Sequence, residues 1–260
     1  MTMVEGIEGK RVLVTAAAGG IGAVVARRFD DAGACVHICD LSGDALAAFA
    51  AQRPGIGVTE ADVADPDAVD RLFTEVRQRM GGLDVLVSNA GIAGPVGPVE
   101  GLDLGDWRRT LDVNLTGAFL CVRGAVPLLK EAAEGGSIVL ASSNAGTMGL
   151  PWRAPYVASK WALIGLVKTL AMELGPHGIR VNAICPGDVE GERIQRVMAA
   201  EAQTRGISVD AVRAERVSAV SLRTMITPDD VASLTLFLCS REGSKLSGQA
   251  VVLDGNAERA

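Results

Sequence analysis

Short apolar runs alternate with helix-like segments along almost the whole chain. The runs are rich in β-branched residues and predict seven strands, at 11–15, 35–39, 57–63, 83–87, 138–142, 179–185 and 250–255. Between them, apolar residues recur at the spacing of an amphipathic helix, most clearly over 66–80 and 107–129. Strands joined by helical crossovers predict an α/β protein with a doubly wound, mostly parallel seven-stranded sheet and helices on both faces.

Residues 188–227 form the longest departure from this alternation. An acidic beginning is followed by two segments of helical spacing, around 194–198 and 209–220. Insertions of this kind beside a binding site often form lids. Because no linker, repeat or low-complexity tract divides the chain, we expect a single domain over 1–260 with a lid at about 188–227.

The composition narrows the class of partner. The net charge is -6 and basic residues do not cluster, which does not suit a nucleic-acid surface. No apolar run approaches the roughly 20 residues that span a bilayer, and the first ten residues lack the basic start and apolar core of a signal peptide. We therefore expect a cytoplasmic protein that binds a small molecule and neither nucleic acid nor membrane.

The five cysteines and two histidines do not form a metal-binding pattern. There is no C-x-x-C, and Cys35 and Cys39 on one extended strand would lie about 13 Å apart, too far for a disulfide. His37 and His177 are isolated from other ligating residues. The pattern predicts buried free thiols and no metal site.

A glycine-rich turn follows the first predicted strand. The sequence TAAAGGIG at 15–22 leads from that strand into a helix. Glycine lets the backbone approach a ligand closely, and the helix N-terminus presents unpaired N–H groups to a phosphate. The alternative is an ordinary tight turn that needs glycine for its backbone.

Asp40 ends the second predicted strand, about twenty residues beyond the glycine turn. A carboxylate at this point can accept hydrogen bonds from both ribose hydroxyls of an adenosine and repels a 2′-phosphate. No cation occurs at 17–19 or 41–42 to attract that phosphate. The position favours NAD over NADP, although an Asp that caps the next helix is a competing interpretation.

Tyr156 and Lys160 lie one helical turn apart, hence on one face of a helix. A fixed ammonium group beside a phenol favours the phenolate and lowers its pKa, so the pair can transfer a proton. The alternative is an amphipathic helix with one exposed lysine.

Two further polar residues are candidates. Ser143 follows the fifth predicted strand. Asn114 lies within an apolar stretch and is either buried with hydrogen-bond partners or on the surface.

Together these motifs resemble the short-chain dehydrogenases/reductases over nearly all of 9–256. The family's glycine turn corresponds to 15–22, its N-N-A-G to SNAG at 88–91, and its P-G-x-V-x-T to PGDVEG at 186–191. Two positions depart from the pattern: Ala16 replaces the first glycine of the turn, and Gly191 replaces the threonine that contacts the nicotinamide amide. The resemblance implies a Rossmann-type fold and hydride transfer between NAD(H) and a secondary alcohol or ketone.

The resemblance also implies which residues act. The catalytic residues are Asn114, Ser143, Tyr156 and Lys160. The cofactor-binding residues are Thr15, Ala17, Gly20, Ile21, Gly22, Asp40, Leu41, Asp62, Val63, Asn89, Ala90, Gly91, Tyr156, Lys160, Pro186, Gly187 and Val189. The candidate substrate-binding residues are Ser143, Trp152, Arg153, Asp188 and Glu190. The family commonly forms tetramers through two long helices, here over 107–130 and 157–174, so a tetramer or dimer is expected.

The substrate is expected to be a small polar molecule that is hydroxylated or carboxylated. Arg153 can pair with an anionic group of the substrate, although the favoured interpretation is an arginine that faces solvent. For the acidic loop, the favoured interpretation is that at least two of Asp188, Glu190 and Glu192 are solvated. A catalytically silent nucleotide sensor or scaffold is the alternative function, but every residue of the catalytic set is present. A sugar-nucleotide epimerase or dehydratase would need a larger insertion after the sixth strand.

Overall fold

The computed structural model describes residues 5–257. The strands are β1 Arg11–Thr15, β2 Cys35–Asp40, β3 Gly57–Glu60, β4 Val85–Ser88, β5 Ser137–Ala141, β6 Arg180–Pro186 and β7 Ala250–Leu253. They form one sheet in the order β3-β2-β1-β4-β5-β6-β7, and each neighbouring pair is parallel. The predicted fold class is confirmed.

Helices cover both faces of this sheet. They are α1 Gly20–Asp31, α2 Gly43–Gln52, α3 Pro66–Met80, α4 Leu104–Leu111, α5 Gly117–Lys130, α6 Ala154–Leu174, α7 Glu192–Arg205, α8 Val209–Ser218 and α9 Pro228–Cys239. Alternate strand residues point to opposite faces, so Val12 and Val14 pack with α1, α2 and α9, whereas Leu13 packs with α3, α5 and α6. Each face therefore has its own apolar core.

The strand order reverses at β1, which has β2 on one side and β4 on the other. In open α/β sheets, ligands bind outside the carboxyl ends of the strands at such a reversal. The glycine turn follows β1, SNAG follows β4, Ser143 follows β5, and PGDVEG follows from the end of β6. The fold thus gathers all four motifs at one edge.

The predicted helix over 107–129 is longer and less regular than expected. It begins at Leu104, where Asp103 caps the first turn by accepting hydrogen bonds from the N–H groups of Gly105 and Asp106. A π-helical turn, Asp112–Thr116, joins α4 to α5. Such turns have no signature in the spacing of apolar residues and are frequent at functional sites.

This helical stretch is also the most apolar one. Leu104–Lys130 contains 27 residues and reaches a mean hydropathy of 1.2, so its length and composition alone would let it cross a membrane. Half of its most apolar window is buried inside the protein. Leu120, Cys121 and Leu128 belong to the core on the α3 side of the sheet, which accounts for the apolar composition.

Residues 188–227, the predicted lid, contain α7 and α8, as the two segments of helical spacing predict. Arg216 of α8 links the helices to the loop after β6, because its guanidinium contacts the carboxylates of Glu201 on α7 and Asp188 after β6 at 2.5 and 2.8 Å.

One expectation about the thiols is wrong. Cys35 is exposed because it is the first residue of β2, at the rim of the sheet, whereas the other four free cysteines are buried.

The turn after β1 requires a left-handed backbone at two positions. Gly20 has a φ of +54°, and Ala16 has a φ of +49°. A positive φ costs an alanine about 1–2 kcal/mol because its Cβ crowds the following carbonyl oxygen. Ala16 therefore keeps a backbone that suits glycine, at a cost in stability.

Replacing this alanine tests that conformation. Ala16→Gly should raise the free energy of unfolding by about 0.5–1 kcal/mol, because relief of the strained φ exceeds the freedom that glycine adds to the unfolded chain. Urea unfolding measures the change. Ala18→Gly is the matched control, since Ala18 has no positive φ and should only lose stability. Equal losses in both variants would contradict the left-handed turn.

Candidate active site

The glycine turn and SNAG are fastened together by hydrogen bonds. The Thr15 hydroxyl accepts from the N–H groups of Asn89 and Ala90, each at 3.0 Å. The Asn89 amide donates in return to the carbonyl oxygens of Thr15 at 3.1 Å and Ala16 at 3.0 Å. A Cβ at Gly22 would lie 2.7 Å from this amide nitrogen. Thr15, Asn89 and Gly22 therefore hold the turn in its conformation.

The N-terminus of α1 is suited to a phosphate. Its N-cap residue, Gly19, makes no side-chain cap, and the first turn contains no acidic residue. A Cβ at Gly19 or Gly20 would meet nothing within 4 Å, so the turn faces open space. N–H groups, the positive end of the helix dipole and room for a ligand are the features that bind a pyrophosphate, so the turn fits a dinucleotide.

The Asp40 carboxylate is turned toward this site. Its two oxygens accept hydrogen bonds from the N–H groups of Ala18 at 3.0 Å and Leu41 at 2.8 Å. Ser42, rather than Asp40, caps α2 by accepting from the Ala45 N–H group. The interpretation of Asp40 as a helix cap is therefore wrong, and its remaining acceptor capacity faces the glycine turn.

Asp62 and Val63 lie at the same edge, after β3. One Asp62 oxygen accepts from the Ala64 N–H group at 2.9 Å, and the other pairs with Arg109 at 3.3 Å. Val63 is buried against Gly117, where an added Cβ would lie 2.8 Å from the valine side chain. These contacts fix the loop that the resemblance assigns to the adenine.

Lys160 is buried, with 3% of its surface exposed. Its ammonium donates a hydrogen bond to the Ala141 carbonyl oxygen at 2.7 Å and lies 5.6 Å from the centroid of the Tyr156 ring. The interpretation as an exposed lysine on an amphipathic helix is therefore wrong. Gly91 of SNAG lies on its other side, where a Cβ would be 3.4 Å from the ammonium nitrogen.

The charges at the site favour the phenolate of Tyr156. Burial by itself would raise the pKa of Tyr156, but the positive charges of Lys160 and Arg193 and the Ser143 hydroxyl outweigh it, so the pKa is lowered. Burial also lowers the pKa of Lys160 to about 8. Below that pH the ammonium is charged and favours the phenolate most strongly. The site therefore places a phenol with a lowered pKa beside a buried ammonium group.

The two adjacent serines have different surroundings. The Ser142 hydroxyl donates to the Lys160 carbonyl oxygen at 2.9 Å and so holds α6 against β5. The Ser143 hydroxyl lies at long distances from two acceptors, 3.3 Å from Asn144 Oδ1 and 3.4 Å from the Pro186 carbonyl oxygen, and it also faces the Tyr156 phenol, whose pKa it helps to lower. Ser143 is therefore the serine whose hydroxyl can turn to another partner.

Asn114 is completely buried within the π-helical turn. Its Oδ1 accepts from the Ile92 N–H group at 2.7 Å, and its Nδ2 donates to the Ile92 carbonyl oxygen at 3.0 Å and to Ser159 Oγ at 3.1 Å. Ser159 in turn donates to the Tyr156 carbonyl oxygen at 2.7 Å. Of the two alternatives, the buried asparagine is correct, and its amide joins SNAG to the helix of Tyr156.

Comparison with known proteins identifies the family. The chain matches the family described as enoyl-(acyl carrier protein) reductase over residues 16–256. The trans-4-hydroxycyclohexanecarboxylate dehydrogenase of Sinomonas cyclohexanicum is 38% identical over 256 residues, which cover 95% of this chain and 92% of that protein. The D-beta-hydroxybutyrate dehydrogenase of Rhizobium meliloti is 32% identical over 253 residues, covering 95% and 97%.

The chain belongs to the short-chain dehydrogenase/reductase family.

A solved structure supports the same assignment. Ligand-free Thermoplasma acidophilum aldohexose dehydrogenase aligns with a TM-score of 0.87 at 31% identity, over 99% of this chain and 97% of that chain. The protein is accordingly an oxidoreductase that acts on CH–OH groups with a nicotinamide cofactor.

The second departure of this short-chain dehydrogenase from the family pattern lies after β6. Gly187 is packed so tightly that a Cβ would lie 2.6 Å from Asp254 Cβ, and Val189 pairs with Ile226. The backbone around Pro186 is thus held in place. Gly191 has a φ of +134° and begins α7 without a side-chain cap, so no hydroxyl replaces the missing threonine at this position.

Two substrate candidates from the acidic loop are placed elsewhere. Asp188 is bound by Arg216 through two contacts of 2.8 Å, so its carboxylate is not free for a substrate. Glu190 is exposed and lines a second cavity that shares no residue with the one beside Trp152 and Arg153. The sequence shows which residues are acidic. Whether each carboxylate forms an ion pair or remains unpaired depends on arginines from distant helices.

Two of the predicted substrate candidates, Trp152 and Arg153, line a cavity of about 250 Å³ next to the candidate active site. Trp152, with a φ of +62°, is 41% exposed, and Arg153 is buried over the Tyr156 ring. The favoured interpretation of Arg153 as a solvent-facing residue is therefore wrong. Arg193 of the lid also contacts this ring, and sequence analysis missed it because a cation in an acidic lid segment carries no positional signal.

The charge coupling between Lys160 and Tyr156 is directly measurable. Tyr156 is the only tyrosine, so phenolate absorbance in a pH titration reports this residue alone. Lys160→Met should move the titration midpoint to higher pH, because it removes the charge that favours the phenolate. Lys168→Met, an exposed lysine on the same helix, should leave the midpoint unchanged. An unshifted midpoint in Lys160→Met would disprove the coupling.

Proposed function

We propose that the protein is an NAD-dependent dehydrogenase that interconverts a secondary alcohol and the corresponding ketone, with Tyr156 as the acid–base residue. The observation that carries the proposal is the buried Lys160 ammonium beside Tyr156, which helps lower the phenol pKa. A phenol with an ordinary pKa near 10 is a poor base at neutral pH, and the ammonium group shifts the phenol toward the phenolate.

The chain's own residues account for the proton. In the oxidation direction, the Tyr156 phenolate takes the proton of the substrate hydroxyl as the C–H bond breaks, and the carbon–oxygen bond becomes a carbonyl. The bound nicotinamide supplies the hydride acceptor, or the hydride donor in the reverse direction. Ser143 donates a hydrogen bond to the substrate oxygen, which its weakly held hydroxyl is free to do. Reduction uses the same groups with the proton moving from Tyr156.

Asn114 takes the role of a positioning residue in this scheme. Both hydrogens of its amide nitrogen are engaged, by Ile92 and Ser159. The side chain therefore keeps SNAG and α6 at a fixed separation and has no hydrogen left to donate to a water.

Asp40 supports NAD as the preferred cofactor. Its carboxylate is held by two backbone N–H groups beside the glycine turn, in the position from which a ribose is bound. A 2′-phosphate would bring a second anion next to it. Leu41 and Ser42, which follow it, supply no cation to offset that repulsion.

The substrate is proposed to be a small hydroxylated or carboxylated molecule. A cavity of about 250 Å³ adjoins Arg153 and lies between the loop before α6 and the lid. Similar proteins include dehydrogenases of trans-4-hydroxycyclohexanecarboxylate, D-beta-hydroxybutyrate and galactitol, which are all small polar molecules. A cavity of this size fits such molecules better than a long chain or a nucleotide sugar.

The alternative function, a catalytically silent sensor or scaffold, rests only on Ala16 and Gly191. Ala16 keeps the turn's backbone, so it does not remove the cofactor site.

We also propose a tetramer or dimer, as is common in the family, because α5 and α6 leave large apolar side chains exposed: Phe119, Trp161 and Met172.

The acid–base assignment is tested by Tyr156→Phe. Loss of the phenolic oxygen should reduce kcat by about 100- to 10,000-fold, because general acid–base catalysis contributes that much. NAD affinity, measured by titration calorimetry, should persist. A Phe variant that turns over at the wild-type rate would refute the assignment.

The cofactor assignment is tested by Asp40→Asn. Loss of the charge should lower the ratio of kcat/KM for NAD to that for NADP by about tenfold or more, since a repulsion worth about 1.4 kcal/mol is removed. Asp44→Asn, an exposed residue at the start of α2, is the matched control and should leave the ratio unchanged. A wild-type preference for NADP would overturn the assignment directly.

A further inference from the structure

Two guanidinium groups flank the Tyr156 ring. The Arg153 Cζ lies 4.6 Å from the ring centroid, and the Arg193 Cζ lies 5.8 Å from it. They come from different parts of the chain, the loop before α6 and the first turn of the lid helix α7. Two cations therefore converge on the residue that exchanges the proton.

Arg153 is a buried cation with unused hydrogen-bonding capacity. It is 8% exposed, its Nη2 donates to the Ala93 carbonyl oxygen at 3.0 Å, and its buried Nε has no hydrogen-bond partner within residues 5–257. Burial lowers the pKa of Arg153, and the charges of Arg193 and Arg216 add to this effect, which outweighs the opposing influence of Tyr156 and Asp188. No carboxylate within residues 5–257 forms an ion pair with Arg153, and a buried guanidinium with an unused donor is costly, so a carboxylate ligand would stabilise it.

Arg193 is likewise left without a carboxylate in the part of the chain described. Its one hydrogen bond goes to the Gly91 carbonyl oxygen at 3.3 Å. A cation in the first turn of a helix is opposed by the helix dipole, so this placement does not stabilise α7. A role toward a ligand explains it better.

The other arginines of the cavity are neutralised. Arg205 pairs with Glu201 at 3.0 Å and Glu215 at 2.7 Å, and Arg216 pairs with Glu201 and Asp188. The remaining residues that line the cavity are apolar: Val96, Leu150, Pro151, Trp152, Val197 and Ala219. The surplus positive charge at the active site is thus confined to the side next to Tyr156.

We propose that Arg153 and Arg193 bind the carboxylate of a small hydroxycarboxylic acid, whose hydroxyl-bearing carbon is oxidised at Tyr156. Carboxylates match the planar, forked donors of guanidinium groups, and the apolar residues of the cavity that Arg153 lines suit a short carbon skeleton. The proposal rests on the proposed dehydrogenase function and narrows its substrate from polar alcohols in general to hydroxy acids.

The arginines could instead act only by favouring the Tyr156 phenolate. That effect would change the oxidation of charged and neutral alcohols equally, whereas a carboxylate site affects the acid alone. The decisive quantity is therefore the ratio of kcat/KM for a hydroxy acid to kcat/KM for its primary amide. A change in the pKa of Tyr156 affects both substrates equally and therefore cancels in this ratio.

The ratio is measured with 3-hydroxybutyrate and 4-hydroxycyclohexanecarboxylate, each against its amide, for the wild type, Arg193→Gln, Arg153→Gln and Arg153→Lys. The wild type should favour at least one of the acids. Arg193→Gln and Arg153→Gln should each lower that ratio by about ten- to a hundredfold, the range for a charged hydrogen bond, and Arg153→Lys by less. Arg196→Gln is the matched control, because Arg196 is exposed on the same helix and pairs with Glu192.

A ratio that is the same in all variants, or a wild-type preference for the amides, would overturn the proposal. Arg193 is exposed, so its variant should fold even if Arg153→Gln does not. Absence of any turnover in the wild type would count against the dehydrogenase function itself. The carboxylate site is then decided by calorimetry with NAD present: cyclohexanecarboxylate should bind more tightly than its amide, and Arg193→Gln should abolish the difference. Equal binding of acid and amide would refute it.

Discussion

The buried ammonium group of Lys160 is the charge on which the active site depends. Removing a cation from water is expensive, and the Ala141 carbonyl oxygen compensates for only part of its lost hydration. The Tyr156 phenolate, once formed, compensates for more. The same desolvation that lowers the pKa of Lys160 strengthens its field at Tyr156, because few water molecules screen it. Docking of α6 on β5 therefore creates the chemistry as well as the packing.

Hydrogen bonds between strand ends keep this charge in place. Thr15 and Asn89 fasten the loops after β1 and β4, and Asn114 fastens the loop after β4 to α6 through Ile92 and Ser159. These side chains are polar and buried, yet each satisfies its neighbours' backbone groups, which limits the cost of burying them. Within this arrangement the Ser143 hydroxyl is held only by long contacts, and the N-terminus of α1 has no side-chain cap. The proposed function assigns these groups to the substrate and the cofactor.

The lid contributes a different kind of order, through the pairing of charges. Arg205 and Arg216 form ion pairs with Glu201, Glu215 and Asp188. Three carboxylates of the lid region are therefore unavailable to a substrate. Although the whole chain carries a net charge of -6, this pairing leaves the surroundings of Tyr156 positive. Local charge at the site thus has the opposite sign to the overall charge.

The sequence alone determined the strand and helix pattern, because a buried parallel sheet requires apolar β-branched runs and amphipathic helices between them. It also determined the motifs, since the turn at 15–22, Asp40 and the Tyr156–Lys160 spacing are local features. Contacts between distant segments were decided only by the tertiary structure. The π-helical turn around Asn114, the left-handed Ala16, the capture of Asp188 by Arg216 and the burial of Arg153 depend on neighbours far away in the chain. Periodicity and spacing describe which side chains share a face, but they do not describe which charge meets which partner across a cavity.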